Sequence, residues 1–392
     1  VRVGSAHTCI CVLYHTPMKF ISIVCILSCV SVAEEKVPLD GVSSAGRFSE
    51  FVDGVNGTHF LVPKYDSVIG VSLKLFGHYE QPARNAILPS IPRDGVVFDI
   101  GANIGSWTVP LARHVGPSGC VYAFEVLLEN ALYLNSNIAL NGLNNVYPMN
   151  VAVGATQRQV EVPELPFTET HENRGGFNLL FIAALMENHK RAGARTRIVR
   201  GVTLDDMLSD NTLPCPQFVK MDVEMSELHV LQGALNVLRN CQPALYLEIT
   251  CKHYSRSIIT LLDSLGYVMA WVAAPPIEFN SYHFGRGAEH VPIELFFQAF
   301  SNNINLFAVP RFRQSELYNS NGSPKTYFYP VDIARGKFLA EEYNITLCTT
   351  DGTQCVLYTQ DGTSEGDKHS CISGSFEVPA EDREYWKQVL NN

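Results

Sequence analysis

The sequence predicts an α/β protein whose sheet is mostly parallel and closes with an antiparallel strand. Three observations carry that expectation. Over residues 95–312 short apolar runs alternate with amphipathic stretches, the βαβ rhythm of a parallel sheet. The first run leads into a glycine-bearing turn, Phe98-Asp99-Ile100-Gly101-Ala102-Asn103-Ile104-Gly105. Two later runs, ending in Glu125 and in Asp222, deliver carboxylates to the places where such sheets bind ligands.

Each element follows from local pattern. Val96-Val97-Phe98-Asp99-Ile100 has the length and β-branched content of a buried strand, and residues 106–114 form the helix after it. Cys120–Phe124 is the second strand and Leu128–Leu140 the next helix. Asn141-Gly142 ends that helix, because glycine takes the left-handed C′ conformation without steric cost. Residues 147–153 make a third strand, Phe218–Met221 a fourth and residues 244–249 a fifth. Residues 267–273 and 304–309 supply the closing pair. Upstream, Gly77-His78-Tyr79-Glu80 opens a helix before Pro89 and Pro92. Beyond Arg313 the chain turns polar and ends in a short helix over residues 380–390.

The chain has 392 residues, 46% apolar and 17% charged, which describes a globular protein with a sizeable core. Its 29 basic and 39 acidic residues leave a formal charge of −10, against a nucleic-acid footprint of clustered Lys and Arg. The dense basic run Lys190, Arg191, Arg195, Arg197 and Arg200, beside His189, reads as a solvated face. Met18-Lys19-Phe20, the apolar run to Val30 and Ser31-Val32-Ala33 have the form of a secretory signal peptide. A short uncleaved anchor, which would place the protein at a membrane, is the alternative. On that reading residues 1–17 are upstream sequence, 18–33 the leader, 34–93 a lead-in, 94–313 the main domain and 314–392 an extension.

Eleven cysteines are present, and Cys9, Cys11, Cys25 and Cys29 lie in the leader or before it. No pair has the CxxC spacing of a zinc site. In an oxidising lumen Cys348, Cys355 and Cys371 would supply one disulfide, its pairing open. Sequons at Asn56-Gly57-Thr58 and Asn344-Ile345-Thr346 fit secretion, and Pro324 weakens the one at Asn321.

The glycine turn is the strongest chemical signal. Gly101 and Gly105 let backbone approach a ligand where a Cβ would collide. A dinucleotide fingerprint wants glycines at spacings two and three, where Asn103 and Ser106 stand, and no Lys-Ser or Lys-Thr follows to make a P-loop. The turn therefore favours S-adenosylmethionine over a nicotinamide cofactor. Glu125, at the end of the second strand, is placed to accept hydrogen bonds from both ribose hydroxyls, though an ordinary strand-end Glu reads the same. In Lys220-Met221-Asp222-Val223-Glu224-Met225-Ser226-Glu227, Asp222 and Glu224 sit at the carboxyl edge of the sheet. Glu224 or Ser226 capping the following helix is the alternative. Glu248 ends the next strand. Paired carboxylates bind divalent cations in some settings, but no motif fixes one, so no metal is expected. His253 reads as a surface or packing residue.

These stretches together resemble the FkbM family of methyltransferases. The matching segments are 97–105, 121–125, Leu140-Asn141-Gly142-Leu143, 150–154, Thr203-Leu204-Asp205-Asp206, 219–227 and Leu247-Glu248, with 77–80 and 305–311 at the flanks. The resemblance implies a class I methyltransferase sheet of Rossmann-like order, and O-methylation of a hydroxyl on a glycan, lipid or small molecule. It implies that Asp99, Gly101 and Gly105, with Asn103 in the same turn, hold the methionine end of the cofactor. Glu125 would hold the ribose, and Val151 and Ala152 would border adenine. Asp222, Glu224 and Glu248 are then the candidates for drawing the acceptor's proton away. Two departures stand out: Val126 where the family has Pro, and Met225-Ser226 where it has Gly-Ala. A catalytically silent binding protein on the same scaffold is the alternative reading.

Overall fold

The computed structural model describes residues 48–164, 195–249, 252–272, 305–331, 333, 346–348 and 355–357. The leader, the sequon at Asn344, His253's side chain, those of the C-terminal cysteines and the helix expected at 380–390 lie outside what is described.

The strands in chain order are β1 (Ser49–Asp53), β2 (His59–Pro63), β3 (Val96–Ile100), β4 (Cys120–Phe124), β5 (Val146–Met149), β6 (Ala152–Val153), β7 (Gln159–Pro163), β8 (Thr196–Val202), β9 (Phe218–Met221), β10 (Ala244–Glu248), β11 (Tyr267–Val272), β12 (Asn305–Pro310), β13 (Phe328–Pro330), β14 (Thr346–Cys348) and β15 (Cys355–Leu357). Eight of them form the main sheet in the order β13-β11-β12-β10-β9-β3-β4-β5. The pairs β5–β4, β4–β3, β3–β9 and β9–β10 are parallel. Strand β12 inserts antiparallel between β10 and β11. The expected α/β class with an antiparallel closing strand is therefore the observed one. Strand β13 adds antiparallel to β11 from beyond residue 313, so the sheet draws on the polar tail as well.

Alternation along each strand sorts the core into two layers. Phe98, Ile100, Phe124, Val219, Met221, Leu245 and Leu247 face one way, against Leu228 and Leu231 of helix Glu227–Gln232 and Ile258, Ile259 and Leu262 of helix Lys252–Ser264. Val97, Val121, Phe218 and Tyr246 face the other way, against Leu111 of helix Thr108–Val115, Leu134 of helix Leu128–Leu140 and Trp107. The same period of two carries polar residues to the top of the second layer. Asp99 follows Val97, Lys220 follows Phe218 and Glu248 follows Tyr246.

Several elements differ from the sequence reading. The helix placed at 106–114 begins at Thr108. The third strand breaks after Met149, and Ala152–Val153 joins a separate three-stranded sheet, β6-β8-β7. At the break, the Asn150 side-chain amide donates to the carbonyls of Glu125 and Val126 (2.7 and 3.0 Å). The lead-in contains an unanticipated hairpin, β1–β2, held by two asparagines a helical turn apart. Asn137 exchanges hydrogen bonds with Leu61, and Asn141 does the same with His59. Among the described residues a disulfide joins Cys215 and Cys241, a pair the sequence reading did not propose, while the side chains of the C-terminal trio lie outside what is described. It ties the approach to β9 to the segment before β10.

Candidate active site

In β5-β4-β3-β9-β10 the strand order reverses between β3 and β9, and open α/β sheets bind ligands at the carboxyl ends beside such a reversal. Gly101 leaves β3 there and Asp222 leaves β9 there. The turn after β3 is held by Gly101 and Ala102 N–H, both donating to Phe124 O at 2.9 Å. Gly101, Asn103 and Gly105 all have positive φ (79°, 51° and 92°), so the bend has the conformation its glycines suggested. The reason for Gly101 differs from expectation. A Cβ there would fall 1.7 Å from Asp222 O, so the collision is with protein backbone. At Gly105 the nearest atom to a Cβ would be Leu134 Cδ1, at 3.0 Å.

Glu125 is 5% exposed and reaches back across the turn. Its Oε2 accepts from Asn103 N–H and its Oε1 from Leu127 N–H, each at 2.8 Å. Burial outweighs those donors and raises its pKa to about 7. A carboxylate has about four acceptor positions, so two remain for ribose hydroxyls. Val151 is half-buried at the edge beyond β5, and Ala152 is buried in β6.

Asp99 is 0% exposed, so it meets no ligand directly. Its Oδ2 accepts from Thr108 Oγ1 at 2.6 Å, and Lys220 Nζ lies 3.6 Å from its Oδ1. Lys220 Nζ also donates to Gly101 O (3.0 Å) and to Asp222 Oδ2 (3.2 Å). Burial alone would lower the Lys220 pKa, but Asp222, Asp99 and Glu80 outweigh it and hold the ammonium charged. Sequence reasoning missed this residue. The signal was present, a lone charge inside the apolar run Phe218–Met221, where unpaired Lys is almost never found.

The structure brings Asp222, Glu224 and Glu248 together, with one carboxylate oxygen of each within 4.8 Å of the others. Burial raises Glu248 well above the carboxylate range and Glu224 to about 8, and the neighbouring Asp222 adds to both. Asp222 is pushed up by burial too, yet Lys220 and hydrogen bonding to Glu248 and Lys220 keep it below its ordinary value. Glu224 and Met225 both have positive φ, 50° and 71°. Met225 thus occupies a left-handed position of the kind that glycine takes without strain. Glu227 Oε1 accepts from Val223 N–H at 3.0 Å and braces this loop. Ser226 makes no side-chain cap, so the capping alternative for it fails.

Glu80 was quoted in the sequence without a role, and in the structure it anchors a second group. Glu80, buried and itself at φ 49°, accepts from Trp107 Nε1 at 2.9 Å. Arg84 lies over the Trp107 ring at 5.6 Å, and Tyr246 packs on Trp107 with centroids 5.1 Å apart. Tyr246 stands two residues before Glu248 on β10, so this group packs on the face of the sheet from which Glu248 projects.

Fold and site together give an α/β sheet, mostly parallel with an antiparallel closing strand, of the Rossmann-like order expected from the sequence. Residues 99–269 match the family model described as the methyltransferase FkbM domain. Two curated relatives align. The tRNA(Phe) (4-demethylwyosine(37)-C(7)) aminocarboxypropyltransferase of Methanocaldococcus jannaschii is 38% identical over 89 residues, 23% of this chain and 33% of that protein. The hexuronic acid methyltransferase AglP of Haloferax volcanii is 23% identical over 161 residues, 41% of this chain and 59% of that protein. The chain thus spans about a third and about three fifths of the lengths of those relatives. A solved FkbM methyltransferase from Methylobacillus flagellatus superposes with a TM-score of 0.35 at 16% identity, covering 59% of this chain and 48% of that one.

Proposed function

We propose that this chain binds S-adenosylmethionine at the ends of β3 and β4 and methylates a hydroxyl of an acceptor seated over Asp222, Glu224 and Glu248. The observation that carries the reading is Glu125. It is a buried carboxylate at the end of β4, engaged by the glycine turn through Asn103 N–H and left with acceptor capacity beyond its two backbone donors. That arrangement fits a nucleoside ribose, within a domain of the FkbM type. When bound, the cofactor supplies a methyl group already activated by its sulfonium.

The chain's own residues do the rest. The turn Gly101–Gly105 and Glu125 fix the nucleoside, and Val151 borders the base. Lys220 holds Gly101 and Asp222 in register, so cofactor turn and acceptor loop are set by one side chain. An alcohol is a poor nucleophile until its proton begins to leave, and a base near the working pH serves best. Glu224, raised to about 8, matches that requirement best of the three acids. Orientation of the acceptor supplies the remainder. A hexuronic acid is the substrate named for AglP, and a glycan hydroxyl is our first acceptor class here.

We place the protein in the secretory pathway. The Cys215–Cys241 disulfide supports an oxidising compartment, and Asn56 of the first sequon is exposed. Non-reducing peptide mapping of secreted material tests this, since a free Cys215 thiol there would contradict it. One observation favours the silent-scaffold alternative, namely Met225 at a left-handed position in the acceptor loop. Incubation with labelled cofactor and a panel of glycans and lipids decides. Label transfer that is lost in Glu224→Gln supports the enzyme, and cofactor binding without transfer to any acceptor supports the silent scaffold.

A further inference from the structure

The three carboxylates raise a question that the methyl-transfer reading leaves open. One oxygen each from Asp222, Glu224 and Glu248 lies within 4.8 Å of the other two. Ligand oxygens on opposite sides of a hard divalent cation stand about twice a metal–oxygen distance apart, roughly 4–5 Å. The three groups therefore converge at a separation that one cation spans. Acid clusters are common without ions, so convergence alone is insufficient.

The second observation is an orphaned oxygen. Glu248 is 8% exposed, and its Oε2 has no hydrogen-bond partner among the described residues. A buried carboxylate oxygen without a donor carries its desolvation cost unrelieved. The neighbouring cation does not supply the missing contact, because Lys220 Nζ is committed to Gly101 O, Asp222 and Asp99. Glu224 is held in place by the left-handed backbone at 224–225 and by the Glu227–Val223 bond.

We propose that Asp222, Glu224 and Glu248 form a site for one divalent cation of the oxygen-preferring class, Mg2+ or Mn2+. An all-carboxylate donor set suits these ions and disfavours softer ones. Such a cation keeps part of its water shell, which leaves positions for an acceptor hydroxyl. The use of the site rests on the proposed methyl-transfer reading. The binding of the ion does not.

The test uses the full chain freed of metal by chelation. Mn2+ is titrated in while the electron paramagnetic resonance signal of the free ion is followed. S-adenosylhomocysteine binding is measured separately by calorimetry with chelator present. One Mn2+ per chain is expected, displaced by excess Mg2+. Binding should be weakened roughly tenfold or more in Glu248→Gln, with wild-type circular dichroism retained. Should that variant not fold, Glu224→Gln, on a half-exposed loop, reads the same loss. Absence of Mn2+ uptake by the wild type, or uptake unchanged in both variants, overturns the site. S-adenosylhomocysteine binding without Mn2+ uptake removes the cation site and spares the methyltransferase reading. Mn2+ uptake without S-adenosylhomocysteine binding does the reverse.

Discussion

Gly101 and Asp222 are in backbone contact: Asp222 N–H donates to Ile100 O at 3.0 Å, and a Cβ on Gly101 would stand 1.7 Å from Asp222 O. The cofactor turn and the acid loop are therefore one packed unit, and changes in either are felt in both.

Gly101→Ala should accordingly be severe. It places a Cβ into backbone at a residue with φ 79°. Overpacking plus a left-handed alanine sums to roughly 2–4 kcal/mol. Urea unfolding measures it, and a loss below about 1 kcal/mol would mean the two loops separate easily.

Lys220→Met tests the buried ion network. Removing the ammonium strands Asp99, which is 0% exposed, beside a partner that no longer exists. Breaking a buried pair in this way costs about 3–5 kcal/mol. Chemical denaturation of Lys220→Met beside Lys220→Met/Asp99→Asn checks the cause, because the second change should recover part of the loss. An equal loss in both would assign it to packing instead.

Met225→Gly addresses the departure from the family pattern. Met225 pays for φ 71°, and glycine removes that strain at some cost in chain entropy. A net gain of about 0.5–1 kcal/mol is expected, read as a small rise in Tm. A clear fall in Tm would show that the Met225 side chain contributes more than its backbone strain costs.

The pH dependence of cofactor binding follows from Glu125. Burial raises its pKa from 4.5 to about 7 in the ligand-free protein. Ribose hydroxyls donate to the ionised form, whose fraction grows from about a tenth at pH 6 to about nine tenths at pH 8. Affinity for S-adenosylhomocysteine should therefore rise nearly tenfold across that range, and the slope should vanish in Glu125→Gln. Folding responds with the opposite sign. A folded pKa above the unfolded one contributes stability below the ordinary carboxylate value, and that is lost as pH climbs through about 7. The ligand-induced rise in Tm should thus grow with pH while the ligand-free Tm does not. A flat affinity profile in the wild type would count against Glu125 as the ribose ligand.

Strands β3, β4, β9 and β10 were legible because each is a short apolar run bounded by turn residues, and the sequence bounds agree with the structure within one residue. Gly101, Glu125, Asp222 and Glu248 were legible because strand ends put chemistry where such sheets bind ligands. What escaped depends on distant partners. The β1–β2 hairpin has weak alternation, and its anchors, Asn137 and Asn141, lie about eighty residues away on a helix. The third strand broke at Asn150 because its side chain ties back to the chain after β4, which periodicity cannot reveal. Lys220 was passed over inside an apolar run. Cys215 and Cys241 come together across 26 residues in a pairing that no spacing rule specifies.

The most direct test of the account is calorimetric titration of the folded chain with S-adenosylhomocysteine, beside Glu125→Ala. The account predicts one site per chain, weakened at least tenfold in the variant as charged hydrogen bonds of about 1.5–3 kcal/mol are lost. Absence of binding by the folded wild type, or equal binding by Glu125→Ala, would contradict it.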